Sequence, residues 1–173
     1  MSYCVIRTDL MSATKQPADL VSLRFYDSEG NVAAVENGVI VELQGFEENQ
    51  REVRKAVAAT ASSDLNKCAI VAGVELMYDE RKKSLDEFIN EAGKATRGYI
   101  PRSRNIFSVT KDGFVGGTAP SVGDSVGVGT GGKIDASGSG LGKCVHIETA
   151  GRFTYYAIQI APIEGAAADD AES

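Results

Sequence analysis

Eleven of the nineteen glycines fall between Gly113 and Gly142, mixed with Ser, Thr and isolated valines. Glycine loses more backbone freedom on ordering than any other residue, so a helix through this stretch is excluded and any strands in it are weak. The segment is expected to form long loops or an irregular β arm; the alternative is an extra β module held by the strands that follow. Those strands are strongly marked. Lys143 to Thr149 and Arg152 to Ile160 are rich in β-branched and aromatic residues, and Ala150-Gly151 between them reads as a hairpin turn.

The first third carries the same signals more faintly. Val21 to Tyr26 is rich in strand formers, and Ser28-Glu29-Gly30-Asn31 supplies a turn. Asn37-Gly38 suits the positive φ of a tight turn and leads into Val39-Ile40-Val41-Glu42-Leu43, so a hairpin or meander is the simplest arrangement. Residues 51–59 fit a strand or a short helix. Cys68-Ala69-Ile70-Val71-Ala72 reads as a buried strand, and Arg97 to Tyr99 and Asn105 to Thr110 as two more, separated by Pro101.

One amphipathic helix is expected between Tyr78 and Ala92, because Tyr78, Leu85, Phe88, Ile89 and Ala92 recur at spacings of three, four and seven. Asp79 and Glu80 suit its positive end, and Gly93 offers a stop. Pairs four apart, Asp79 with Lys83 and Lys82 with Asp86, would each add a few tenths of a kcal/mol on the wet face.

The fold class that follows is α+β, mainly β: an antiparallel sheet or small barrel with one amphipathic helix and a long glycine-rich loop or arm over 112–142. Residues 1–163 are expected to form a single globular domain. At 173 residues with 43% hydrophobic content, the chain can supply a core of its own. Glu164 to Ser173 is alanine and acid with nothing to bury, and is expected to be disordered.

Charge and composition narrow the function. The net charge of −6 lacks the basic face that nucleic acid requires. The charge is unevenly spread, with eight acids against three bases in residues 1–50 and seven bases against three acids in residues 81–104, an asymmetry able to orient the chain on a charged partner. No apolar run approaches the roughly 20 residues that cross a bilayer, and the start lacks the pattern of a secretion signal.

Cys4, Cys68 and Cys144 form no Cys-x-x-Cys pair, and His146 is the single histidine, so no metal is expected. Gly127 to Lys133 has the spacing of a phosphate-binding loop, but Ile134 stands where Ser or Thr must hold magnesium, and no helix can start after it. Gly138-x-Gly140-x-Gly142 runs into a strand instead of a helix, so no cofactor is expected from it either. Cys144, His146 and Glu148 alternate along one strand, which places His146 among strand neighbours on one face and gives it no catalytic partner. An enzyme is not expected.

The run Met77-Tyr-Asp-Glu-Arg-Lys-Lys-Ser-Leu-Asp-Glu-Phe-Ile-Asn-Glu-Ala-Gly-Lys-Ala-Thr-Arg-Gly-Tyr99 resembles a signature of the head decoration, or cement, proteins of tailed bacteriophages. Asn37-Gly-Val-Ile-Val-Glu-Leu with Arg51-Glu-Val-Arg-Lys55, and Glu148-Thr-Ala-Gly-Arg-Phe-Thr-Tyr-Tyr156, are similar to other parts of that group. Together they span about residues 36–160, with 113–142 poorly matched.

The resemblance implies a structural protein made in the host cytoplasm that sits on the capsid exterior of the virion. Its partner would be the major capsid protein, whose lattice it stabilises, and it would gather as a homo-oligomer, with a trimer favoured. From the net charge and the absence of a long apolar run, contact with neither nucleic acid nor membrane is expected. The alternative is another virion-surface β-module that binds a host molecule or a tail component. For the capsid contact, the apolar start supplies Tyr3, Val5 and Ile6, able to add to a sheet edge as an arm or to form an ordinary first strand of the protein's own sheet. Arg97, Arg102 and Arg104 are the candidates for an acidic capsid surface.

Overall fold

A computed structural model describes residues 2–7, 19–75 and 84–163. The chain is mainly β, with ten strands in two sheets among the described residues: β1 Leu20–Tyr26, β2 Ile40–Glu47, β3 Gln50–Ala58, β4 Cys68–Val71, β5 Thr96–Tyr99, β6 Ile106–Thr110, β7 Ser125–Val128, β8 Ile134–Asp135, β9 Gly140–Ala150 and β10 Phe153–Ile160. The first five close a barrel in the order β1-β3-β2-β4-β5, with β5 returning to β1. The other five make a sheet in the order β6-β10-β9-β7-β8.

Local sequence decides several of these boundaries. Asp27 accepts the N–H groups of Glu29 and Asn31, holding the turn after β1, and Gly30 follows with φ +82°. Gly38 takes φ +82° as the Asn-Gly signal requires, yet that turn does not join paired strands. β1 pairs in parallel with β3 and antiparallel with β5, so the expected meander gives way to a crossover, and the true hairpin joins β2 to β3 at Glu47 and Gln50. Residues 51–59, open between strand and helix from sequence, belong largely to β3.

The strand most deeply set is β4, all four of whose residues are buried. Successive side chains of a strand point to opposite faces. Here Ala69 and Val71 fill the barrel interior with Leu23, Val41, Leu43 and Ala56. Cys68 and Ile70 point the other way, into a larger core with Phe107, Val109, Phe114, Ile158 and Ile160 of the second sheet. β2 divides its side chains in the same manner at Ile40 and Val41. A polar staple adds to this joint: Lys133 pairs with Glu36 at 3.3 Å and donates to the Asp112 carbonyl at 2.9 Å, while Glu36 accepts the Cys4 N–H at 3.2 Å.

The glycine-rich segment is built structure and not a free arm. It supplies β7, β8 and the start of β9, and Phe114 bridges Ile134 in parallel, bringing β8 against the chain that leaves β6. This is the extra β module that stood as the alternative. Part of its glycine content answers to close approach, since a Cβ on Gly132 would strike the Ile40 carbonyl oxygen and one on Gly142 the Gln159 carbonyl oxygen, while glycines such as Gly123 and Gly140 face open space at positive φ.

The amphipathic helix expected over Tyr78–Ala92 is not formed where the structure describes it. Residues 78–83 lie outside the described residues, as does the tail 164–173. From Ser84 onward there is a single 3-10 turn, Leu85–Glu87, closed by a capping box between Ser84 and Glu87, after which Phe88 is extended. The competing interaction is at Asn90, whose backbone exchanges two hydrogen bonds of 3.0 Å with Val35. Its side chain donates to Val35 O at 3.0 Å and Asn37 Oδ1 at 2.9 Å and accepts from Thr96 at 2.6 Å. A buried, fully bonded amide outweighs a helical stripe of Leu85, Phe88 and Ile89, none of which is buried.

Gly142→Ala tests the close-packing explanation of the glycine-rich part. Urea unfolding is expected to show a loss of about 1–3 kcal/mol, the usual cost of overpacking, although its φ lies outside the left-handed region. An unchanged midpoint would mean that β9 and β10 are not so tightly apposed.

Candidate interaction surface

The amino-terminal segment, Ser2–Arg7, lies along β6. Val5 O accepts the Thr110 N–H and Ser108 O accepts the Arg7 N–H, both at 3.0 Å, and Val5 N donates to the Thr110 hydroxyl at 3.1 Å. Val5 and Ile6 are 1% and 4% exposed, so their side chains are already committed to this chain's own core. The segment lies against this chain's own second sheet through an isolated antiparallel bridge between Ile6 and Val109 and is not one of the ten strands, and of the three apolar candidates only Tyr3 is left partly at the surface.

Tyr3 sits where three separated segments meet. Its N–H donates to the Asp86 carbonyl at 2.9 Å, and Ser2 Oγ reaches the Asp86 carboxylate at 3.4 Å. That carboxylate also takes the Ser84 hydroxyl and pairs with Arg152, in the turn between β9 and β10. The Ser84 hydrogen bond, helped by the nearby Arg152 charge and Ser2, holds the Asp86 carboxyl below the usual carboxylate range. Arg152 remains 61% exposed and lies over the Phe153 ring at 4.8 Å. With Leu85, 38% exposed, these groups form a mixed apolar and charged patch fixed by hydrogen bonds at its centre.

The three arginine candidates occupy different settings. Arg97 is exposed on β5 and lines an open groove of about 520 Å³ with Leu20, Val74, Asn90 and Thr96. Arg102 donates through Nε to Asp19 Oδ1 at 2.6 Å, its head exposed and the aspartate buried. Asp19 Oδ2 has no hydrogen-bond partner among the described residues. Arg104 is exposed at φ +67° in the turn before β6, its N–H donating to Ile160 O at 3.0 Å.

His146 is exposed on β9, while Cys144, two residues before it, is buried. A register shift between Ala157 and Ile158 of β10 accounts for this: Ala157 faces His146, and Ile158 faces Cys144, leaving Val145 as an extra residue. The expected single face for Cys144, His146 and Glu148 is therefore wrong, because a bulge breaks the strand period. In the phosphate-loop look-alike, Lys133 is occupied by Glu36 and Asp112. Among the described residues no three His, Cys, Asp or Glu side chains group as metal ligands, and no helix is long and apolar enough to cross a membrane.

Asp86 and Arg152 escaped the sequence reading for a physical reason. Asp86 was assigned to a helical pair with Lys82, and its observed partner lies 66 residues away, a separation with no local pattern. No family model matches the chain, and neither does any curated protein or solved structure to which it was compared.

The three thiols give a pH prediction. Burial, joined by Glu36 at Cys4 and by Glu42 at Cys68, pushes both thiols up to about 12, and burial raises Cys144. Unfolded thiols ionise near 9.0, whereas the folded ones keep their protons. Stability from this source is present below that value and is lost as pH rises through it toward about 12. Urea unfolding is expected to show falling stability above pH 9, and a thiol reagent at neutral pH to react only as the chain unfolds; fast labelling of the native protein would contradict the buried placement.

Proposed function

We propose that this chain is a structural virion protein that binds the outer surface of a phage capsid and stabilises the lattice of its major capsid protein, gathering as trimers at local threefold positions. The reading rests on the likeness of three segments to head decoration proteins. The observation that carries it is that the described parts of these segments are neighbours: Asn90 of the Met77–Tyr99 run bonds to Asn37 of the Asn37–Leu43 run, and Asp86 of the former pairs with Arg152 of the Glu148–Tyr156 run.

The surface they build, with Tyr3, Leu85, Arg152 and Phe153, is the contact face in this proposal. A rigid patch loses little freedom on docking, and an exposed arginine beside an aromatic ring suits an interface. Arg97 and Arg104 offer a second, basic contact for an acidic partner surface. Each contact is modest alone. A protein that touches several capsid subunits raises its own effective concentration, so the decorated lattice holds more tightly than any single contact.

The test is saturation binding to undecorated phage shells, read by particle imaging. Stoichiometric, ordered occupancy is expected, and Arg152→Glu is expected to weaken binding by about tenfold or more. Its effect on unfolding is expected to stay within about 1 kcal/mol, as for an exposed ion pair. Failure of the purified chain to occupy shells would overturn the proposal and turn attention to a host molecule or tail component.

A further inference from the structure

The backbone of β9 is paired along one side for most of its course but only half covered on the other. β10 faces it from Gly142 to Ala150, whereas β7 covers Gly140 to Lys143 and stops. The next residue, Cys144, still has partners on that side: its N–H donates to Asp124 O at 2.9 Å and its carbonyl accepts from Gly123 at 2.8 Å. From Val145 to Ala150 this edge has no strand beside it among the described residues.

The direction of each backbone group follows from the hairpin. Ala150 and Phe153 close a two-residue turn, so they exchange hydrogen bonds, and antiparallel alternation makes Glu148 with Tyr155 and His146 with Ala157 bonded pairs too. Ile147 and Thr149 then direct N–H and C=O away from β10. The same alternation carried across to β6 turns Ser108 and Thr110 outward, where Arg7 and Val5 meet them. It also turns Cys144 outward, as its bonds to Gly123 and Asp124 require. The alternation thus accounts for the partners seen at three positions and leaves Ile147 and Thr149 open.

We propose that this edge of β9 pairs antiparallel with the same edge of a second copy, about a twofold axis at Ile147. The stretch His146-Ile-Glu148 is self-complementary in that register, with the bulge at Val145 bounding it on one side. Ile147 faces its own copy, and His146 of each chain stands opposite Glu148 of the other, whose carboxylate is held in place by Arg7 of its own chain at 3.0 Å. The register centred one residue later sets two Glu148 carboxylates face to face and loses both His146–Glu148 pairs, so it is the weaker one even with Arg7 beside each carboxylate. His146 is exposed, and Ile147, packed at the margin of the core, gains cover. An isologous contact closes on itself, so the open edge yields a dimer and not a growing ribbon. The inference does not depend on the capsid reading, since it concerns the free protein in solution.

Sedimentation equilibrium of the full chain up to roughly 1 mM is expected to show a reversible dimer, its dissociation constant raised about tenfold or more by Thr149→Pro and by His146→Glu. Thr149→Pro removes an outward N–H, which an edge strand tolerates within the monomer. His146→Glu sets two acids opposite each other only in the dimer. Hydrogen exchange at Ile147 and Thr149 is expected to slow as concentration rises. Should Thr149→Pro lose the native circular dichroism, His146→Glu decides alone. A monomer at every concentration, or a dimer that ignores the substitutions, overturns the edge pairing. Shell binding is measured separately, so failure of the capsid reading and failure of the edge pairing are told apart.

Discussion

The division of side chains along β4 is the constraint on which the rest of the structure depends. Ala69 and Val71 complete the barrel, and Cys68 and Ile70 complete the core beneath the second sheet. A strand buried on both faces needs every backbone group paired, and β4 lies between β2 and β5 for that reason. With β2 split the same way at Ile40 and Val41, neither body has a complete core without the other. The close contact of Gly132 with Ile40 and the Lys133–Glu36 pair lie at this shared wall.

Much of the β content was legible because its signals are local. Cys68 to Ala72 read as a buried strand from an unbroken apolar run, and the β9–β10 hairpin from its β-branched and aromatic residues around Gly151. What the sequence could not convey was pairing. Nothing near Val21 to Tyr26 announces a parallel partner at Val53 to Val57. The helical spacing of Leu85, Phe88 and Ile89 was real, but a network of long-range hydrogen bonds at Asn90 overrode it. Glycine enrichment reads as looseness, yet here it serves tight packing at Gly132 and Gly142 and positive-φ turns at Gly123 and Gly140, and composition does not tell these uses apart.

The candidate surface was less legible than the fold. Val5 and Ile6 looked available because they are apolar and close to the amino terminus, yet the same apolarity places them in the core. Tyr3 keeps its surface place through a backbone bond to Asp86, and Arg152 arrives beside it from a distant hairpin. In the proposed capsid role these groups act as a preformed face, positioned by the fold and needing no chemistry of their own. The arginines at 102 and 104 lie along the turn that enters β6, Arg102 held by Asp19 just before β1 and Arg104 by Ile160 of β10.

The account stands on the barrel and second sheet being one cooperative unit joined through β2 and β4. Native-state hydrogen exchange in increasing urea, comparing interior amides of β1 with those of β10, measures this directly. A common opening free energy in both strands, lowered together by Ile70→Ala, is the predicted result. Loss of protection in β1 at a urea concentration where β10 stays closed would show that the two sheets fold apart, and would contradict the shared-wall account.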